Sequence, residues 1–202
     1  MSITVIGDVH GHYARYHKIV RQKDRHPHTV QIGDFGFEYE TLKNVDANNH
    51  KVIGGNHDNY NKIIDTPHYL GDFGNVSLNN VNFFFLRGAF SIDQQYRVIG
   101  RSWWPEEELN NDSFNEAMKL YVEKKPKIVL THTCPISIVP QLLPAGSHLF
   151  QSKTEMFLES MLNAHQPELW IFGHFHVSRT INQTLNGTQF VCLDELETYK
   201  LG

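Results

Sequence analysis

The chain has 202 residues, 40% hydrophobic and 12% aromatic, enough for one compact domain over residues 1–202 and too apolar for a disordered tail. Its net charge of −4, from 18 basic and 22 acidic residues, excludes the broad cationic surface of a dedicated nucleic-acid binder, though not a local basic pocket. No apolar run approaches the roughly 20 residues of a membrane span; the opening MSITVIGDVHGH lacks a basic leader and cleavage signal, and the isolated Cys134 and Cys192 fit a reducing cytoplasm.

Short apolar runs alternate with helical patterns in chain order. Residues 3–6 read as a strand, 12–23 as a helix and 29–32 as a strand. A strand at 51–53 and a short helix at 59–64 follow. The run VNFFFL at 81–86 is apolar on both faces, as a buried strand is. Residues 102–125 read as helical, with Pro105 suited to a first turn. A strand at 127–130 precedes a helix at 152–165, whose expected apolar side carries Met156, Phe157, Ser160, Met161 and Ala164. A strand at 169–172 leads to a hairpin, 180–185 with 188–193, turning at Asn186-Gly187. The pattern predicts an α/β protein with mixed sheets.

Five of these strands run directly into polar clusters. They are Gly7-Asp8-Val9-His10-Gly11, Gly33-Asp34, Gly54-Gly55-Asn56-His57-Asp58, Thr131-His132 and Gly173-His174-Phe175-His176. Ligand sites in open α/β sheets lie outside the carboxyl ends of strands, so these clusters are expected to converge. Histidine is the commonest metal ligand, and the chain has 13. One such motif is weak; five in one chain at successive strand ends are not.

In this order the blocks DxH, GD, GNH[DE], H and GHxH resemble the calcineurin-like metallophosphoesterase superfamily, over Asp8 to His176. The resemblance implies an αββα sandwich of two mixed sheets around a dinuclear metal centre. It implies Asp8, His10 and His176 as ligands of one ion, Asn56, His132 and His174 as ligands of the other, and Asp34 as the bridging carboxylate. It places His57 at the substrate phosphate, protonating the leaving group. The chemistry of the residues agrees. Two cations about 3.5–4 Å apart clamp a phosphoryl group and yield a bridging hydroxide at neutral pH. Imidazole, carboxylate and amide oxygen suit Mn first here, or Fe, Zn or Ni, rather than Mg or Ca.

The second block departs from the GDxxDRG of protein Ser/Thr phosphatases, reading Gly33-Asp34-Phe35-Gly36-Phe37-Glu38 without the phosphate-gripping arginine. Asp58 replaces the glutamate usual in the third block, and either orients His57 or holds its loop through backbone amides. FLRGAFSID with RSWWPEEEL resembles a bacterial and phage group of metallophosphoesterases. Candidate substrate contacts are Asn56, Arg87 and His12, with Arg87 standing where a substitute phosphate arginine is expected; Arg15, Arg97 and Arg101 are weaker candidates. Trp103 and Trp104 either wall the cleft or pack in the core. Cys134 is expected to be packing. His17, His26, His28, His50, His68, His148 and His165 stand outside the pattern. The expected activity is hydrolysis of a phosphomonoester (a small molecule, nucleotide or phosphopeptide). The alternatives are a phosphodiesterase acting on a cyclic nucleotide, dinucleoside polyphosphate or nucleic-acid end, and a non-catalytic metal-binding scaffold.

Overall fold

Two sheets share an apolar layer in the computed structural model, which describes residues 2–144, 152–182 and 187–202. In chain order the elements begin with β1 (Ile3–Ile6), α1 (Tyr13–Val20), β2 (Thr29–Ile32), β3 (His50–Ile53), α2 (Tyr60–Ile63), β4 (Phe73–Leu78) and β5 (Val81–Leu86). They continue with α3 (Asn111–Lys124), β6 (Ile128–Thr131), α4 (Lys153–Ala164), β7 (Leu169–Phe172), β8 (Arg179–Asn182), β9 (Gln189–Cys192) and β10 (Thr198–Leu201). One sheet has the order β10-β1-β2-β3 and the other β4-β5-β6-β7-β9-β8. The inner strands are parallel, and antiparallel β10, β4 and β8 close three of the edges.

Three apolar clusters fill the three spaces between four layers. Ile3, Val5, Val30, Ile32, Phe83, Phe85, Leu130 and Ile171 lie between the sheets. Phe84, Val129, Trp170 and Phe190 face the opposite way, against Phe114 and Tyr121 of α3 and Leu158 and Met161 of α4. Ile6 and Val52 pack on Tyr16 and Val20 of α1. The αββα sandwich follows from this alternation: strands buried on both sides leave no polar face to solvate. Each buried Phe, Leu or Ile contributes about 1.5–3 kcal/mol of burial. Among the described residues no helix is long and apolar enough to cross a membrane.

Residues 102–125 do not form one helix. Pro105–Glu107 make a single 3-10 turn, and α3 starts only after Asn110, whose side chain accepts from the Ser113 N–H at 2.9 Å. The buried face of α4 is Thr154, Glu155, Leu158, Met161 and Leu162, one step round from the expected side, and Met156 is exposed. β4 was not expected from the sequence. It pairs with β5 through Asn79-Asn80, both at positive φ (50° and 62°), the geometry of a two-residue hairpin turn. The β8–β9 pairing is the expected terminal hairpin; residues 183–186, which include part of the turn expected at Asn186-Gly187, lie outside the described residues, as does His148.

Candidate metal centre

Strand register brings the polar clusters to one end of the sandwich. Ile6 pairs with Gln31 and Ile32 with Ile53, so Asp8, Asp34 and Asn56 leave neighbouring strands at the same edge. In the second sheet Leu130 pairs with Ile171, placing His132 beside His174. The His132 Nδ1–H donates to the Ile32 carbonyl at 2.9 Å and joins the two sheets.

Four of the candidate ligands sit in left-handed backbone conformation: His10 at φ 44°, Asp34 at 54°, His174 at 70° and His176 at 50°. For a residue with a Cβ this costs about 1–2 kcal/mol, and it persists where the surroundings impose it, often at functional sites. Here the Asp34 carbonyl accepts from the Val9 and His10 amides at 3.0 and 2.8 Å, tying two strand ends together. Gly33 (φ 107°) and Gly55 have no substitute: a Cβ on the first would overlap the His132 ring, and one on the second the Asp34 carboxylate.

The side chains form two groups that share Asp34. Asp8, His10, Asp34 and His176 make one; Asp34, His132 and His174 make the other. Asp34 Oδ2 lies 3.5 Å from His10 Nε2, and Oδ1 lies 3.2 Å from His132 Nε2. His176 Nε2 is 3.3 Å from Asp8 Oδ2 and 2.9 Å from His10 Nε2. Asn56 Oδ1 joins the second group, 3.1 Å from His132 Nε2. All seven residues thus belong to one or the other of two groups joined at Asp34.

The electrostatics fit a cation. Asp8 and Asp34 are buried, yet the positive charge of His132 and hydrogen bonds from neighbouring imidazoles hold both carboxyls below their ordinary value. Against the cost of burial, the charges of Asp34 and then Asp8 raise His132 to about 10. His10, against burial, and His176 are raised through Asp8. His174 is pushed down to about 3 by burial and by His132, so its lone pair stays free. Without ions, protons held on the imidazoles of His132, His10 and His176 balance the ionised carboxylates; divalent ions would replace those protons. Ion uptake is therefore expected to release protons, with tighter Mn binding at about pH 8 than at about pH 6. A calorimetric titration repeated in buffers of different ionisation enthalpy checks this.

Asn56 is oriented by a short relay. Its Nδ2 donates to Ser91 Oγ at 3.0 Å, and Ser91 Oγ donates to Glu107 Oε2 at 2.5 Å. Glu107 is buried and also accepts from the Ser91 amide at 2.9 Å and from Gln94 Nε2 at 2.7 Å. With the amide nitrogen committed to Ser91, the Asn56 oxygen is left to face His132. Ser91→Ala is expected to keep the fold and weaken ion affinity about 10- to 100-fold; competition against a chromophoric chelator measures it, and unchanged affinity rejects the relay.

His57 lines the pocket over this cluster, its ring 4.9 Å from that of His10 and its amide donating to Asp34 Oδ1 at 2.7 Å. Burial, and then Arg97 and His10 against the pull of Asp34, holds it below an ordinary histidine. Of the two parts expected of Asp58, its contacts are those of the residue that holds the loop through backbone amides. It is fully buried and accepts from the amides of Gly55 (2.7 Å), Gly36 (3.3 Å) and Phe35 (3.4 Å) and from the Tyr39 hydroxyl (2.9 Å), which makes it the clamp of its loop.

Arg87, expected at the substrate phosphate, is engaged elsewhere. Its Nε pairs with Asp72 at 2.5 Å, its guanidinium lies 4.0 Å over the Tyr60 ring, and it does not line the pocket. His12 is likewise outside the pocket, half-exposed and 3.7 Å from Glu195. Trp104 is buried in the core against Phe37, and neither tryptophan lines the cleft, whose aromatic residues outside the histidines are Phe90 and Phe175. Cys134 is buried with its thiol pushed up by burial. His50 is a core histidine between the Tyr16 and Thr29 hydroxyls. The arginine that does line the pocket, of about 390 Å³, is Arg97, together with Asp93, Phe90, Ile92 and Leu143.

Comparison with known proteins agrees with this fold. A dimetal phosphatase from Danio rerio superposes with a TM-score of 0.58 at 14% identity, over 97% of this chain and 88% of that one. A hypothetical protein from Thermus thermophilus gives 0.52 at 17%, over 95% and 75%. The phosphopantetheinyl hydrolase of Mycobacterium tuberculosis gives 0.50 at 13%, over 96% and 89%. These likenesses concern the fold. No curated protein matches the chain. The profile of the calcineurin-like phosphoesterases matches residues 1–178, from the first strand through the last candidate ligand. That span decides the family: the chain is a calcineurin-like phosphoesterase, a hydrolase of the metallophosphoesterase class.

Proposed function

We propose that the chain hydrolyses phosphomonoesters of a small molecule, nucleotide or phosphopeptide, using two divalent transition ions with manganese first among them. The observation that carries this reading is the shared Asp34: one buried carboxylate belongs to both ligand groups, at the floor of a pocket that also holds an imidazole and a guanidinium. When bound, the ions supply charge neutralisation for the phosphoryl oxygens and an acidified water. Asp8, His10 and His176 would hold one, Asn56, His132 and His174 the other, and Asp34 both.

The remaining groups manage position and protons. The His132 Nδ1–H···O=C bond to Ile32 fixes the tautomer that leaves Nε2 free for an ion. The His57 loop is tied through its amide to Asp34, so the ring moves with the cluster. At rest His57 is neutral and accepts from Arg97. An incoming phosphoryl dianion competes for that guanidinium and favours uptake of a proton from solvent by His57, and the imidazolium so formed gives that proton to the leaving alkoxide and returns to neutral imidazole. Phe90, Ile92, Leu143 and Phe175 offer the leaving group an apolar wall.

Parallel assays with p-nitrophenyl phosphate and bis-p-nitrophenyl phosphate on the Mn-loaded protein test the reading. A higher kcat/KM for the monoester is expected. Preference for the diester would replace it with the phosphodiesterase alternative.

A further inference from the structure

The loop after β5 carries Arg97 back over the cluster, and three features distinguish it from a surface arginine. Its side chain is only 8% exposed although it lines an open pocket. Its Nη2 is held by Asp93 Oδ1 at 2.7 Å and also reaches His57 Nε2. Its Nη1 is buried with no hydrogen-bond partner. Buried guanidinium nitrogens are ordinarily paired, so an unpartnered one beside a cleft marks a place for an acceptor from outside the chain. Asp93 fixes the plane of the guanidinium without satisfying Nη1, and the pocket supplies no backbone carbonyl to it among the described residues.

We propose that Arg97, positioned by Asp93, grips a non-bridging oxygen of the substrate phosphoryl group and selects monoesters over diesters. This rests on the phosphomonoester reading above. A monoester dianion has three non-bridging oxygens, a diester two. The third oxygen is an anionic acceptor for Nη1, and its charge-assisted bond is of the strong kind that arginine makes with phosphate. In a diester that position carries an ester substituent, which would set carbon against a buried donor. The selecting arginine thus comes from the β5 loop instead of the second block, where Phe37 and its neighbours supply no cation.

The test compares wild type, Arg97→Ala and Arg97→Lys as Mn-loaded proteins, with both p-nitrophenyl esters and with inorganic phosphate as a calorimetric ligand. Arg97→Ala is expected to lower the monoester-to-diester ratio of kcat/KM by about 10- to 100-fold and to weaken phosphate binding by a similar factor. Diester turnover should fall by a smaller factor, the part that reflects the lost contact of Arg97 with His57. Arg97→Lys keeps the charge and loses the planar fork, so its ratio should fall between the two; if the alanine variant does not fold, the lysine variant carries the comparison. Equal losses on both esters, or phosphate binding unchanged in the variants, overturns the assignment. Should wild type cleave neither ester, the catalytic reading fails, and the phosphate titration still decides whether Arg97 is an anion site.

Discussion

Asp34→Ala is expected to lose both ions and, with them, all measurable turnover. The two carboxylate oxygens face different imidazoles, Oδ2 toward His10 and Oδ1 toward His132, at 3.5 and 3.2 Å. No other described carboxylate belongs to both ligand groups, so neither group can compensate for the other. The variant also leaves His132, raised to about 10 chiefly by Asp34 against burial, without its main counter-charge. Removing one partner of a buried ion pair destabilises by about 3–5 kcal/mol, so the metal-free variant should melt well below wild type. Asp34→Asn separates the two effects. It keeps the shape and one oxygen while removing the charge, and should fold better than Asp34→Ala yet still bind ions poorly. Elemental analysis after reconstitution, with thermal melting of the metal-free forms, reads both. Retention of a full complement of ions by either variant would show that Asp34 is not shared.

Much of this site was legible because the strands that build it are buried on both faces. Such strands read as short runs ending in apolar or β-branched residues, and where β1, β2, β3, β6 and β7 stop, the polar clusters begin within one to three residues. The ends of the sandwich could therefore be located without knowing how the strands are ordered. Two of the edge strands gave no such signal. β4 and β10 are half-exposed, with mixed burial along their length, and nothing in a short polar-apolar mixture distinguishes them from a loop. The Asn79-Asn80 pair was the available clue to β4, since two consecutive asparagines suit the two positive φ angles of a tight hairpin.

The choice between Arg87 and Arg97 shows where local reading ends. Both follow the same strand, and the nearer arginine was the reasonable expectation. Its fate depends on Asp72, which the unanticipated β4 hairpin sets beside it, and on Tyr60 of the third-block helix. Arg97 reaches the pocket because the loop doubles back, with Val98 and Ser102 making a turn beyond it and Glu107 gathering Ser91 and Gln94 inside it. None of those contacts has a sequence period. Glu107 was hidden for the same reason: within PEEEL it reads as one more acid on a helix, and only the broken helix turns it into the buried end of the Asn56 relay.

His57→Ala should keep the ions and lose turnover in proportion to how badly the leaving group needs a proton. The substitution preserves the backbone amide that donates to Asp34 at 2.7 Å, so the shared carboxylate stays anchored. It removes only a ring that coordinates nothing in either ligand group and stands at the pocket wall. General acid catalysis is worth about 10²- to 10⁴-fold where an alkoxide must depart, and this range is expected for an alkyl phosphate. For p-nitrophenyl phosphate, whose phenolate leaves without help, the loss should be far smaller. Steady-state kinetics on the two esters, beside elemental analysis of the same preparations, make the comparison. The ion content excludes a damaged metal centre as the cause of any loss. An equal loss on both esters would instead place His57 in binding the phosphoryl group, as a partner of Arg97, and would remove it from the proton transfer.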